Sequence, residues 1–124
     1  MSKKITLGEQ ITASFENCSG VALLDCDRLL GLLRQAVDLL GFEEVSHICH
    51  PFSPHGITCV LILAQSHLIA HTWPEHQSLV IDLFACGDIR FSLAEKLISQ
   101  AVKAKSVQLE RRVREIDWNG GVTE

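Results

Sequence analysis

The stretch QSHLIAHTWPEHQ, Gln65 to Gln77, places a serine, three histidines, a tryptophan and a glutamate directly after the chain's longest apolar run, Cys59 to Ala64. Six histidines and five cysteines in the whole chain make metal binding the first chemistry to test. His67 and His71, four apart, would lie one turn apart on a helical face if this stretch were helical, which Pro74 and the β-rich flanks oppose. No H-E-x-x-H or paired-cysteine spacing occurs, so no metal is expected. Ser66 beside two histidines supplies parts of a hydrolase triad, but the G-x-S-x-G context that exposes such a nucleophile is missing.

The elements that must position these residues follow from periodicity. Ile5, Leu7, Ile11, Ala13 and Phe15 alternate with polar residues, predicting a half-buried strand bulged near Gly8-Glu9. Asp25 or Asp27 can cap a helix on Leu29, Leu30, Leu33, Ala36, Val37 and Leu40 that ends at Gly41. A strand is expected from Glu43 to Phe52, and FSPHG, with Pro54 and Gly56, reads as its closing turn. Ile57 to Ala64 is apolar on both faces, which suggests a central strand or one covered on both sides. Ser78 to Cys86 predicts another strand, Ser92 to Ala104 a second helix, and Val107 to Val113 a last strand before a loose tail, WNGGVTE. Helices and strands in this order, without a glycine-rich nucleotide loop, give an α+β two-layer sandwich, its mainly antiparallel sheet carrying helices on one face.

The 124 residues suit one domain over 1–124, with 47% apolar and 21% charged residues in the globular range. A net charge of −4, with no basic stretch beyond Arg111, Arg112 and Arg114, argues against a nucleic-acid partner and suits a cationic ligand. No apolar run approaches the roughly 20 residues that span a bilayer, so no membrane partner is expected. The Met-Ser-Lys-Lys-Ile start carries no signal-peptide pattern, and a cytoplasmic location is expected. Five scattered cysteines without C-x-x-C read as free thiols; Cys18, Cys26, Cys49 and Cys59 are assigned to packing.

FSPHG at 52–56, SHLIAHTWPE at 66–75 and IDLFACGD at 81–88 together resemble, in order, the bacterial and archaeal S-adenosylmethionine decarboxylase proenzymes. The resemblance implies a chain that cuts itself at Gln65-Ser66 into a β chain, 1–65, and an α chain, 66–124, with Ser66 becoming a pyruvoyl cofactor. That carbonyl would form a Schiff base with the substrate amine and act as the electron sink that no natural side chain supplies. It further implies that His71 takes the Cα proton during processing, Cys86 returns a proton to the decarboxylated carbon, Phe52 stacks on adenine and Glu75 bonds ribose hydroxyls. Thr58 stands where relatives often carry a serine that assists processing. Gln65 stands where they usually carry glutamate, and Pro51 where a basic residue is frequent.

The expected function is therefore decarboxylation of S-adenosylmethionine, a small-molecule substrate, to the aminopropyl donor for spermidine synthesis, by a homodimer of cleaved protomers. A pyruvoyl-dependent arginine or ornithine decarboxylase, or an uncleaved ligand-binding or regulatory relative, are the alternatives. One geometric condition attaches. Ser66 and His71 are about 16 Å apart if extended and point to opposite faces of a strand, so cooperation in one site requires the chain to turn between them before cleavage.

Overall fold

The first strand, β1 (Lys3–Glu16), keeps the alternation through Phe15 and is bulged where expected. Thr6 pairs with Glu115 and Gly8 with Arg114, leaving Leu7 as the extra residue. A side chain at Gly8 would run into the carbonyl oxygen of Ala85, so the close approach of these two strands depends on that glycine. Helix α1 (Cys26–Leu40) is capped by Asp25, whose carboxylate accepts the N–H of Asp27 at 2.9 Å, and it ends at Gly41 in the left-handed conformation, φ 78°. Its buried residues, Leu29, Leu32, Leu33, Ala36 and Val37, recur at three- and four-residue spacing and face the sheet. Each such leucine contributes about 1.5–3 kcal/mol by leaving water.

Strands β2 (Glu44–Pro51), β3 (Ile57–Leu63), β4 (Ser66–Trp73) and β5 (Ser78–Ala85) follow, then helix α2 (Ser92–Val102) and strand β6 (Ser106–Trp118). The computed structural model describes residues 2–23 and 25–120. All six strands form one antiparallel sheet in the order β2-β3-β4-β5-β1-β6. Both helices lie on one side of it, giving the α+β two-layer arrangement. Ala94, Ile98 and Val102 of α2 complete the core over Ile11, Phe15, Leu61, Leu68, Ile81 and Leu83.

One expectation holds in part and another needs correction. β3 is an interior strand, as one alternative had it, but it is not covered on both sides: only Ile57, Cys59, Leu61 and Leu63 are buried, while Ile62 is half exposed, because no described element covers the second face. The tail expected from Trp118 begins later, since pairing of Lys3 with Trp118 holds β6 to its end; residues 121–124 lie outside the described residues.

Candidate active site

Cross-strand register defines the uncovered face as rows. One row runs His50, Thr58, His71, Val80, Ser14, Gln108; the next runs Ile48, Val60, Ile69, Asp82, Thr12, Glu110; a third runs Ser46, Ile62, His67, Phe84, Gln10, Arg112. The face mixes a polar centre, Asp82 and Glu110, with large exposed apolar side chains that include Ile48, Ile62, Ile116 and Trp118. Monomeric surfaces rarely spread so much apolar area without a partner.

At one end of β4 lies the bond expected to break. Ala64 and Gln65 form the two-residue turn between Leu63 and Ser66, and Gln65 is left-handed, φ 60°. Glutamine lacks the short side chain that eases this conformation for asparagine, so the peptide just before Ser66 carries backbone strain. The Ser66 hydroxyl donates to the Ala64 carbonyl at 3.1 Å, and the exposed Cys86 thiol donates to the Gln65 carbonyl at 3.6 Å. The thiol thus meets the carbonyl that a serine attack would convert to an oxyanion.

At the other end of β4 lies His71. Thr58, directly across on β3, hydrogen-bonds its Nδ1. The Trp73 and Phe52 rings sit 4.4 and 6.0 Å from the imidazole, centre to centre, and His50 packs edge-on to Phe52 at 4.7 Å. His71, Phe52 and Trp73 wall an open cavity of about 240 Å³ that also takes in His55, Gly56, Thr72 and Glu75, with His55 Nδ1 3.1 Å from a Glu75 oxygen. β4 runs unbroken from Ser66 to Trp73, so the turn that would bring Ser66 to His71 within one chain does not occur. Strand rise leaves them roughly 16 Å apart.

The arrangement splits the expected site residues into two groups: Gln65, Ser66 and Cys86 at one end, and Phe52, Thr58, His71 and Glu75 at the other. A profile of the S-adenosylmethionine decarboxylase family matches residues 9–115. The chain belongs to the S-adenosylmethionine decarboxylase family. It is 34% identical over 110 residues to the S-adenosylmethionine decarboxylase proenzyme of Thermotoga maritima, covering 88% of this chain and 85% of that one. The Acidithiobacillus ferrooxidans proenzyme is 40% identical over 84 residues, 68% of this chain and 63% of the relative, so the matched stretch spans less than two thirds of that protein. The crystal structure of the adenosylmethionine decarboxylase from Aquifex aeolicus VF5 superposes with a TM-score of 0.80 at 28% identity, covering 95% of this chain and 98% of that one.

Against this family background, the cysteines divide on physical grounds. Burial, then the neighbouring Cys49 thiol, pushes Cys26 up to about 11, and burial pushes Cys49 up to about 11. Burial raises Cys18 and Cys59 as well, which keeps these four thiols protonated and fits their assignment to packing. His55, which sequence reasoning offered as a site-lining residue without a role, and Trp73, which it read as packing or a dimer contact, both line the cavity. The Pro and Gly of FSPHG signalled a turn but not its partner. Among the described residues, no group of three or more His, Cys, Asp or Glu side chains is placed to hold a metal ion. Nor is any helix among them long and apolar enough to cross a membrane.

Proposed function

We propose that this chain is a self-processing, pyruvoyl-dependent S-adenosylmethionine decarboxylase that works as a homodimer. Each site combines Gln65, Ser66 and Cys86 of one protomer with Thr58, His71, Phe52 and Glu75 of the other. The observation that carries this reading is the separation of the two groups along a continuous β4, in a sheet whose second face is left uncovered. Two copies packed face to face about a two-fold axis, strands running opposite ways, set the His71 end of each over the Ser66 end of the other.

Processing then runs on the chain's own atoms. Ser66 Oγ attacks the Gln65 carbonyl carbon; the Cys86 thiol donates to the developing oxyanion, and the acyl group moves from nitrogen to oxygen as an ester. His71 of the second copy removes the Ser66 Cα proton, the Gln65 carboxylate leaves, and water releases ammonia from the new N-terminus to give the pyruvoyl group. For His71 to act as base, its Nδ1–H donates to Thr58 Oγ1, which frees the Nε2 lone pair. The exposed left-handed turn suits such a group, because cleavage relieves its strain and opens Ser66 to the facing sheet. The pyruvoyl carbonyl supplies an electron sink for the carbanion left by decarboxylation. Cys86 returns the proton to that carbon. Phe52 stacks on adenine, Glu75 takes ribose hydroxyls, and the acidic central row suits a sulfonium cation. Raised, unpaired thiols fit a reducing compartment, and the enzyme is assigned to the cytoplasm, making the aminopropyl donor for spermidine synthesis.

Replacing Thr58 by valine removes the partner of His71 Nδ1 and should slow cleavage about tenfold, whereas Thr58→Ser keeps the rate. Time-resolved denaturing gels of freshly made protein measure this. The function itself is tested by intact mass and by carbon dioxide release from S-adenosylmethionine, arginine and ornithine offered separately. Two fragments meeting at Gln65/Ser66, the second blocked, with release from S-adenosylmethionine alone, are expected. A lone full-length chain after prolonged incubation overturns the enzyme reading, and release only from arginine or ornithine moves it to those substrates.

A further inference from the structure

We propose that His55 is a positioning residue, holding the Glu75 carboxylate in the one orientation that accepts both hydroxyls of a vicinal diol. The inference rests on the reading of Phe52 and Glu75 as the nucleoside end of the site. The two residues come from separate loops. His55 lies in the turn between β2 and β3, which is closed by the Phe52 N–H donating to the Gly56 carbonyl at 2.7 Å. Gly56 adopts φ 105°, and a side chain there would come within 3.4 Å of the Thr72 carbonyl, so the turn is seated against the end of β4. Glu75 lies in the short 3-10 turn Pro74–His76, closed by the Gln77 N–H donating to the Pro74 carbonyl at 3.1 Å.

A side-chain contact joins these loops across the cavity rim, from His55 Nδ1 to Glu75 Oε1 at 3.1 Å. Both side chains are more than a third exposed, so the pair adds little to stability. Its consequence is geometric. The terminal torsion of a glutamate is broad, and a carboxylate gripping a cis-diol must present one oxygen to each hydroxyl. The contact of His55 Nδ1 with Oε1 at 3.1 Å restrains one oxygen of the carboxylate and leaves Oε2 for the diol. Without that anchor, binding would itself have to order the Glu75 rotamer, a cost that corresponds to about fivefold to tenfold in affinity.

The test uses the whole self-cleaved protein as wild type, His55→Ala, His55→Gln and Glu75→Gln. It reads KM and kcat for S-adenosylmethionine, and dissociation constants for 5′-methylthioadenosine and its 2′,3′-dideoxy counterpart. His55→Ala should raise KM about fivefold to tenfold with kcat within about twofold, and should lose most of the preference for the diol. His55→Gln, whose amide N–H can still donate to Glu75, should restore both. Wild-type KM and diol preference in His55→Ala, or no rescue by His55→Gln, overturns the role of His55 while leaving the nucleoside site standing. An unchanged diol preference in Glu75→Gln overturns the underlying reading, and the role of His55 with it.

Discussion

A Ser66→Ala protein is expected to remain one chain of 13.7 kDa, with no detectable fragment 1–65 or 66–124 and no decarboxylase activity. The size of the effect follows from the chemistry. Alanine has no oxygen to accept the Gln65 acyl group, so the ester cannot form and the electron sink is never made; no partial activity survives through another route. The fold should be untouched, because Ser66 is only half buried and its hydroxyl bonds one carbonyl, that of Ala64, at the tip of a turn. Intact mass, carbon dioxide release and a melting curve on the same sample separate these outcomes. A cleaved Ser66→Ala chain would place the scissile bond elsewhere, and a melting temperature lowered by more than a few degrees would make the loss one of folding. Ser66→Cys is the informative companion: a thiol can accept the acyl group, so slow cleavage is expected where alanine gives none.

The candidate site residues come from the family resemblance of three motifs, and residue types alone gave neither their roles nor their geometry. The bulge at Leu7, the Asp25 cap and the Gly41 stop were legible because each depends on local chemistry within a few residues. The register of the β3–β4 hairpin was not. Ala64-Gln65 lacks the Asn-Gly or Asp-Gly signature that marks a two-residue turn, so nothing in the sequence announced that Leu63 faces Ser66. Once that pairing is known, Thr58 must face His71, and the His71 imidazole acquires its hydrogen-bond partner. The same turn brings Cys86 to the Gln65 carbonyl, a contact spanning β4 and β5 that no local pattern encodes. β3 misled for a related reason. Its apolar residues on both faces suggested a central strand or one covered on both sides; it is interior, and Ile62, with Ile48 close by on β2 and Ile116 across the sheet on β6, leaves an apolar face that the proposed second copy would cover. A sequence records that a surface is apolar without recording which molecule buries it.

That ambiguity gives the second large effect. Co-expression of Ser66→Ala and His71→Ala chains should restore cleavage and activity that neither variant has alone. If Ser66 of one protomer is processed by His71 of the other, the mixed dimer contains one site with both defects and one with neither. Equal expression and random pairing make half the dimers mixed, so about one quarter of wild-type activity returns. Only the His71→Ala chain is cut, since it alone keeps the serine; distinct affinity tags on the two chains identify which one yields fragments. If instead His71 acted on Ser66 of its own chain, every site in every dimer would carry one defect, and no mixture would cleave. The unbroken β4 argues for the first outcome, because eight residues of continuous strand hold the two side chains apart and on opposite faces. Bringing them together within one protomer would require unzipping β4 from both β3 and β5, at a cost far above what one proton transfer could recover. Complementation at background level, with both chains present at equal amounts in one dimer, would therefore overturn the shared site and require β4 to rearrange during processing.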